Sequence, residues 1–124
     1  FGLRGPYTPQ TVYNGLAQCP GNRPRAVRRK IDKAREASAP GASITRMDAS
    51  LLVEGGDAAA GSLVLVEFLA DDAHDTGMRH PVTKVRTLTQ FEGGKLEIAV
   101  PACTSACAVL LETPGHGIPA ALKL

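Results

Sequence analysis

From residue 42 onward the sequence is a series of short apolar segments separated by stretches rich in glycine, proline and aspartate. The segments span residues 43–53, 62–69, 82–91, 95–100, 106–112 and 118–124. Apolar and polar residues alternating over segments of this length favour β-strands, and the connectors have the composition of turns. Because such short connectors join neighbouring strands in opposite directions, residues 42–124 are predicted to form an antiparallel β region.

The core of this region has to be aliphatic. The chain of 124 residues has no Trp, two Tyr and three Phe, although 44% of its residues are hydrophobic. This composition favours a packed core over disorder, and branched aliphatic residues favour strands. Apolar runs such as residues 63–66 are far shorter than the ~20 residues that a membrane span requires. No membrane-spanning segment is therefore predicted.

The first 41 residues follow a different pattern. Residues 7–13 predict a strand, and Asn14-Gly15 is a residue pair that accepts the positive φ of a tight turn, so we expect a short hairpin. Residues 19–24 are rich in turn-forming residues. Pro24 then suits the first position of a helix that should extend to about Ser38.

The predicted helix has one apolar and one basic side. Its apolar stripe consists of Val27, Ile31 and Ala34, at i, i+4 and i+7. Residues 1–40 carry eight basic and two acidic side chains, whereas the rest of the chain carries six and ten. The basic surface is assigned to Arg25, Arg28, Arg29 and Lys33. Such a face is usually solvated, but it could also bind RNA or another anionic polymer.

No motif in the sequence predicts catalysis or metal binding. Asp71, Asp72, His74 and Asp75 supply ligand atoms that a divalent ion accepts, but their spacing matches neither a zinc helix nor a calcium loop, so we expect a solvated turn. The serines lack the Gly-x-Ser-x-Gly pattern of a nucleophile elbow. We therefore predict no cofactor, no metal and no complete catalytic centre.

Three cysteines allow at most one disulfide within the chain. Cys103 and Cys107 share a segment that predicts a turn followed by a strand, so a local bridge is sterically possible if Thr104 and Ser105 form the bend. Two buried thiols are the alternative. Three residues separate the two cysteines, one more than in the Cys-x-x-Cys motif of redox proteins.

The most informative run of residues is Tyr7-Thr8-Pro9-Gln10, which is followed by Val12 and by Asn14-Gly15. It resembles the signature of a secreted bacterial thioredoxin-like family called domain of unknown function 1223. The end of the chain, residues 108–115 and 117–124, is similar to the end of that family.

The resemblance implies that Thr8-Pro9 is the cis-proline step of a thioredoxin-like fold. Tyr7, Thr8, Pro9 and Gln10 would then present their backbone to a substrate or partner. The family's Cys-x-x-Cys and first βαβ unit would precede residue 1, so we expect a processed chain or a fragment. The resemblance also implies a periplasmic or secreted location.

The expected fold class is α+β. Residues 1–41 would form the cis-proline hairpin and helix of a partial thioredoxin-like fold, and residues 42–124 an antiparallel β-sandwich-like region. The predicted function is a non-catalytic binding or assembly module derived from a secreted thioredoxin-like protein. The expected partner is another polypeptide that completes or covers the sheet edge near residues 7–13, and nucleic acid is the less favoured partner.

Two alternative functions remain open at this point. The chain could be a subunit of a thiol-disulfide oxidoreductase whose redox cysteines lie on another chain. It could also bind RNA or another anionic polymer through the basic helix, and this binding would weaken steeply with salt.

Overall fold

The structure is a computed structural model that describes residues 10–36, 41–70 and 79–124. These residues form nine strands, one α-helix and a short 3-10 helix at Asp57–Ala59. The helix α1 is Pro24–Glu36. The strands are β1 (Gln10–Tyr13), β2 (Ala17–Pro20), β3 (Ser43–Arg46), β4 (Ser50–Gly55), β5 (Gly61–Phe68), β6 (Val82–Phe91), β7 (Gly94–Ala99), β8 (Ala106–Thr113) and β9 (Gly117–Lys123).

The strands form three sheets, in the orders β1-β2, β3-β4-β7 and β6-β5-β8-β9. All strand pairs are antiparallel. The antiparallel prediction for residues 42–124 is confirmed, with one refinement. The segment predicted as residues 43–53 is two strands, because a turn that is closed by a hydrogen bond of 2.9 Å from Met47 N to Ser50 O separates β3 from β4.

One aliphatic core joins the two larger sheets. Ile44, Leu51 and Val53 enter it from the three-stranded sheet, and the four-stranded sheet adds a larger set. That set is Leu63, Leu65, Phe91, Cys107, Val109 and Leu111. The four-stranded sheet is centred on β5, where Leu63 and Leu65 are fully buried and Val64, on the opposite face, is 3% exposed. A strand that is buried on both faces explains the uninterrupted apolar run in its sequence.

The expected fold class was wrong. A thioredoxin-like α/β fold needs parallel strands that are connected by helices packed on the sheet. Here the described strands pair only with antiparallel neighbours, and α1 packs on the two-stranded β1-β2 sheet. The described residues form a β-rich fold with one α-helix. Thr8-Pro9, the expected cis-proline step, lies outside the described residues.

The predicted tight turn at Asn14-Gly15 is confirmed. Asn14 and Gly15 have φ values of 46° and 69°, and Leu16 N donates to Tyr13 O at 2.8 Å. This turn sets the register of the hairpin. Cys19 and Pro20, which were expected in a turn, instead belong to β2, because Thr11 pairs with Cys19 and Gln10 with Pro20.

The helix and the hairpin make a small core of their own. Tyr13, Cys19 and Ala34 are buried there, and Val27 and Ile31 pack against them. The predicted apolar stripe therefore faces β1 and β2, as its spacing indicated. This leaves the opposite face of α1 in solvent.

The hairpin meets the larger sheets at the start of β9. Ile118 N donates to Asn14 O at 3.0 Å. Gly117, with a φ of 70°, lies so close to Asn14 O that a Cβ atom would overlap it. Glycine is required here both for the positive φ and for this close approach.

We predict that Leu63→Ala lowers the free energy of unfolding by about 2–5 kcal/mol, because it leaves a cavity beside a fully buried strand. Val85→Ala is the control, since Val85 lies on neighbouring β6 and is 60% exposed. It should change the free energy by less than about 0.5 kcal/mol. Urea denaturation measures both. Equal losses in the two variants would contradict the central position of β5.

A second prediction concerns the cross-strand pair of Glu54 and Lys95, whose side-chain atoms Oε1 and Nζ lie 2.7 Å apart. The hydrogen bond to Glu54 and its negative charge raise the pKa of Lys95 above 10.5. The stabilisation from this pair is present below pH 10.5, the ordinary pKa of lysine, and it is lost as the pH rises through the higher pKa of Lys95 in the folded chain. An NMR titration of Lys95 should show the raised pKa in the native chain and a lower one in Glu54→Gln. Identical titrations would contradict the pairing.

Candidate functional site

A disulfide joins Cys103 and Cys107 at one end of the four-stranded sheet, with their Cα atoms 6.3 Å apart. Cys107 is the second residue of β8 and is 1% exposed, whereas Cys103 lies in the preceding connection and is exposed. The two sulfurs therefore have different surroundings. Cys107 belongs to the aliphatic core between the two larger sheets, called the main core below, whereas Cys103 is open to solvent.

A buried carboxylate lies beside this disulfide. Glu67 is 6% exposed and is the cross-strand partner of Cys107. Cross-strand partners project from the same face with Cβ atoms ~4.5–5.5 Å apart. Along β5 the buried residues Leu63 and Leu65 precede Glu67 at alternate positions, so its side chain continues the core face.

The carboxylate of Glu67 is hydrogen-bonded from within the disulfide loop. Thr104 Oγ1 donates to Glu67 Oε2 at 2.7 Å. Burying a carboxylate is costly unless donors replace its water, and the Thr104 hydroxyl is such a donor. Glu67, Cys103, Thr104 and Cys107 together are called the disulfide site below.

Three connections fix the loop that carries Cys103. They are the disulfide, the hydrogen bond from Thr104 to Glu67, and a hydrogen bond of 3.2 Å from the Arg86 guanidinium to Ala102 O. The exposed sulfur is therefore held in one place. Thiol-disulfide exchange requires an accessible disulfide sulfur, and Cys103 is the exposed cysteine of this pair.

The sequence-predicted binding residues lie elsewhere. Tyr7, Thr8 and Pro9 fall outside the described residues, as does the turn of residues 71–78. Gln10 is exposed at the first position of β1. Within the described ranges, β1 has β2 as its one strand neighbour. The expected polypeptide that covers its other edge stays a prediction.

The predicted basic residues all face solvent. Arg25, Arg28, Arg29 and Lys33 are exposed on α1, and we call them the basic face. The first turn of α1 has no acidic residue. Asp32 and Glu36 lie on the same side of the helix towards its C-terminal end, so the N-terminal half of the face is uniformly positive.

A cleft of about 360 Å³ lies between α1 and the hairpin. Its lining includes Lys30, Lys33 and Gln18. Gln18 Oε1 is buried and has no hydrogen-bond partner among the described residues. Two lysine side chains and an unpaired amide oxygen therefore line a polar recess next to the basic face.

The sequence reasoning missed Glu67 and Thr104. The signal was there, since Glu67 interrupts the apolar run 63–69 at a position where alternation from Leu63 and Leu65 predicts the core face. An acidic residue at a core position requires a hydrogen-bond donor or a function. Thr104 could not have been identified as that donor without the register between β5 and β8.

The described residues contain no group of three or more His, Cys, Asp or Glu side chains that could hold a metal ion. They also contain no helix with the length and apolarity needed to span a membrane.

Comparison with known proteins shows one structural likeness. A crystal structure of a protein from Agrobacterium tumefaciens, determined by the Northeast Structural Genomics Consortium, superposes with a TM-score of 0.74 at 24% identity. The match covers 99% of this chain and 64% of that one. At this identity the likeness supports the fold alone. No family model and no curated protein matches the chain, so the resemblance to domain of unknown function 1223 stays a prediction.

The disulfide generates a prediction about stability. Closing so short a loop should stabilise the chain by about 2 kcal/mol or less. Cys103→Ser replaces an exposed atom, so it should cost only this amount. Reductant should lower the free energy of unfolding of the native chain to the value of the variant, and it should leave the variant unchanged. A native chain that is insensitive to reductant would show that the two cysteines are not bonded.

Proposed function

We propose that this chain is a non-catalytic binding module that docks an acidic polypeptide on the basic face of α1. The observation that carries the proposal is the exposure of Arg25, Arg28, Arg29 and Lys33 on a helix whose apolar side packs on the hairpin. No salt bridge links these four side chains to described residues, so their charges are available to a partner.

The cleft beside the helix supports the same proposal. Lys30 and Lys33 line it together with Gln18, whose Oε1 atom is buried and has no hydrogen-bond partner among the described residues. A carboxylate that enters this recess would bring acceptors to both ammonium groups, and the amide would face it with its NH2 group after rotation about χ3. A partner with spaced acidic side chains fits this surface.

The charge pattern of the helix favours a polypeptide over RNA. Asp32 and Glu36 lie among the basic side chains on the exposed side. They would repel a continuous phosphate backbone, whereas a polypeptide can place Lys or Arg against them. The basic face also lacks aromatic side chains, on which unpaired bases stack.

The disulfide supports a further part of the proposal, a periplasmic or secreted location. Disulfides form and persist in oxidising compartments and are rare in the cytosol. This agrees with the location that the resemblance implies.

The test compares two double variants of equal net charge. Arg28→Gln/Arg29→Gln removes two charges from the basic face, and Arg46→Gln/Lys84→Gln removes two exposed charges from β3 and β6. Fluorescence anisotropy measures the binding of each to a labelled oligoglutamate peptide. We expect Kd to rise about fivefold for the first variant, because each exposed ion pair contributes up to ~1 kcal/mol. The second variant should bind like the native chain.

Single-stranded RNA of equal length is the competing ligand in the same assay. Tighter binding of the RNA, with a salt slope that falls by about one for each charge removed from the basic face, would favour the nucleic-acid alternative. Equal effects of the two double variants would refute a specific basic face. No binding of the peptide at low salt would refute the proposal as a whole.

A further inference from the structure

We propose that the disulfide site exchanges with an external thiol, in which Cys103 is the sulfur attacked, Cys107 is the resolving cysteine and Glu67 accepts the Cys107 proton. This thiol-exchange proposal does not depend on binding at the basic face. It assigns a stoichiometric thiol-exchange activity to the four-stranded sheet.

Exposure decides which sulfur is attacked. A thiolate attacks a disulfide sulfur directly, so access to that sulfur limits the reaction. Cys103 is exposed, whereas Cys107 is 1% exposed and packs in the main core. An incoming thiolate therefore reaches Cys103 Sγ and not Cys107 Sγ.

The forward step conserves atoms and electrons. The external thiolate forms a bond to Cys103 Sγ, and the bond from Cys103 Sγ to Cys107 Sγ breaks. The electron pair of the broken bond stays on Cys107, which becomes a thiol after it takes a proton that Glu67 passes to it from solvent. The product is a mixed disulfide between the external thiol and Cys103, with a buried thiol at Cys107.

The return step requires a base at Cys107, because the thiolate is the nucleophile. Glu67 is its cross-strand partner on the same face, and no other described carboxylate is buried. Glu67 takes the proton, Cys107 Sγ attacks Cys103 Sγ, the ring disulfide re-forms and the external thiolate leaves. The Thr104 hydroxyl, 2.7 Å from Oε2, keeps the carboxylate in place through the cycle.

The charged residues of β6 that pair with β5 at or near Glu67 are Lys84 and Arg86. Lys84 is the cross-strand partner of Glu67, and Arg86 donates to Ala102 O in the disulfide loop. Thr83 Oγ1 on β6 donates to the backbone carbonyl of Glu67 at 3.2 Å, and this bond links β6 to β5 at Glu67.

The first experiment mixes the oxidised chain with reduced glutathione and, separately, with a cysteine-containing peptide. The reactions are quenched with acid and alkylated, and the adducts are mapped by mass spectrometry. We expect adducts on Cys103, with none on Cys107 or on Cys19, which is 6% exposed. Faster reaction of the peptide at equal thiolate concentration would identify a protein thiol as the substrate. Equal rates would identify a small thiol.

The second experiment follows the return step. The reduced chain is mixed with oxidised glutathione, and the Cys103 adduct is expected to rise and then decay as Cys107 closes the ring. Glu67→Gln should lengthen the lifetime of the adduct by about a hundredfold or more, the range of general-base contributions. Glu112→Gln is the matched control, since Glu112 is exposed on β8 and is not adjacent to a cysteine.

A pH profile separates proton transfer from a structural role. In Glu67→Gln, hydroxide alone generates the Cys107 thiolate, so the closing rate should rise tenfold for each pH unit from acid to neutral pH. The native chain should show a shallower dependence over the same interval. Thr104→Val retains the carboxylate but loses its hydrogen bond, and it should give an intermediate rate if Glu67→Gln does not fold.

Three outcomes would overturn the proposal. They are equal adducts on both cysteines, an adduct that forms only after denaturant is added, and identical pH profiles in the native chain and Glu67→Gln. Each would show that the disulfide is a static cross-link.

Discussion

Strand β5 is paired on both sides and buried on both faces at Leu63, Val64 and Leu65. A strand in this position has no freedom of register, because a slip of one residue would exchange its two faces and break both ladders. The rest of the four-stranded sheet takes its alignment from this strand. The position of Glu67 opposite Cys107 is one result, since it follows from the same pairing that places Leu63 opposite Leu111.

The sequence predicted the local elements well, because their causes are local. The Asn14-Gly15 turn, the apolar stripe of α1 and the glycine-rich connectors each act within a few residues. The arrangement of those elements was predicted wrongly at the start of the chain. Helix α1 packs on its own hairpin, and nothing in its amphipathic pattern distinguishes this from packing on a larger parallel sheet.

In the candidate sites too, features with local causes were predictable from the sequence, and features that depend on strand pairing were not. The exposure of Arg25, Arg28, Arg29 and Lys33 follows from helical periodicity and was predictable. The bond between Cys103 and Cys107 was one of two options, because four residues of separation permit the bridge without requiring it. The partnership of Glu67 with Thr104 spans 37 positions in the chain, and only the pairing of β5 with β8 brings these residues together.

Strand β8 connects the two ends of the molecule. Cys107 lies near its first residue, and the turn after Thr113 leads to Gly117 and Ile118, where the hairpin that carries α1 is attached. Eight strand residues extend over roughly 25 Å. A thiol-bearing molecule at the disulfide site and an acidic chain on the basic face would therefore lie towards opposite ends of β8. A single copy that bound at both proposed surfaces would bridge two different partners.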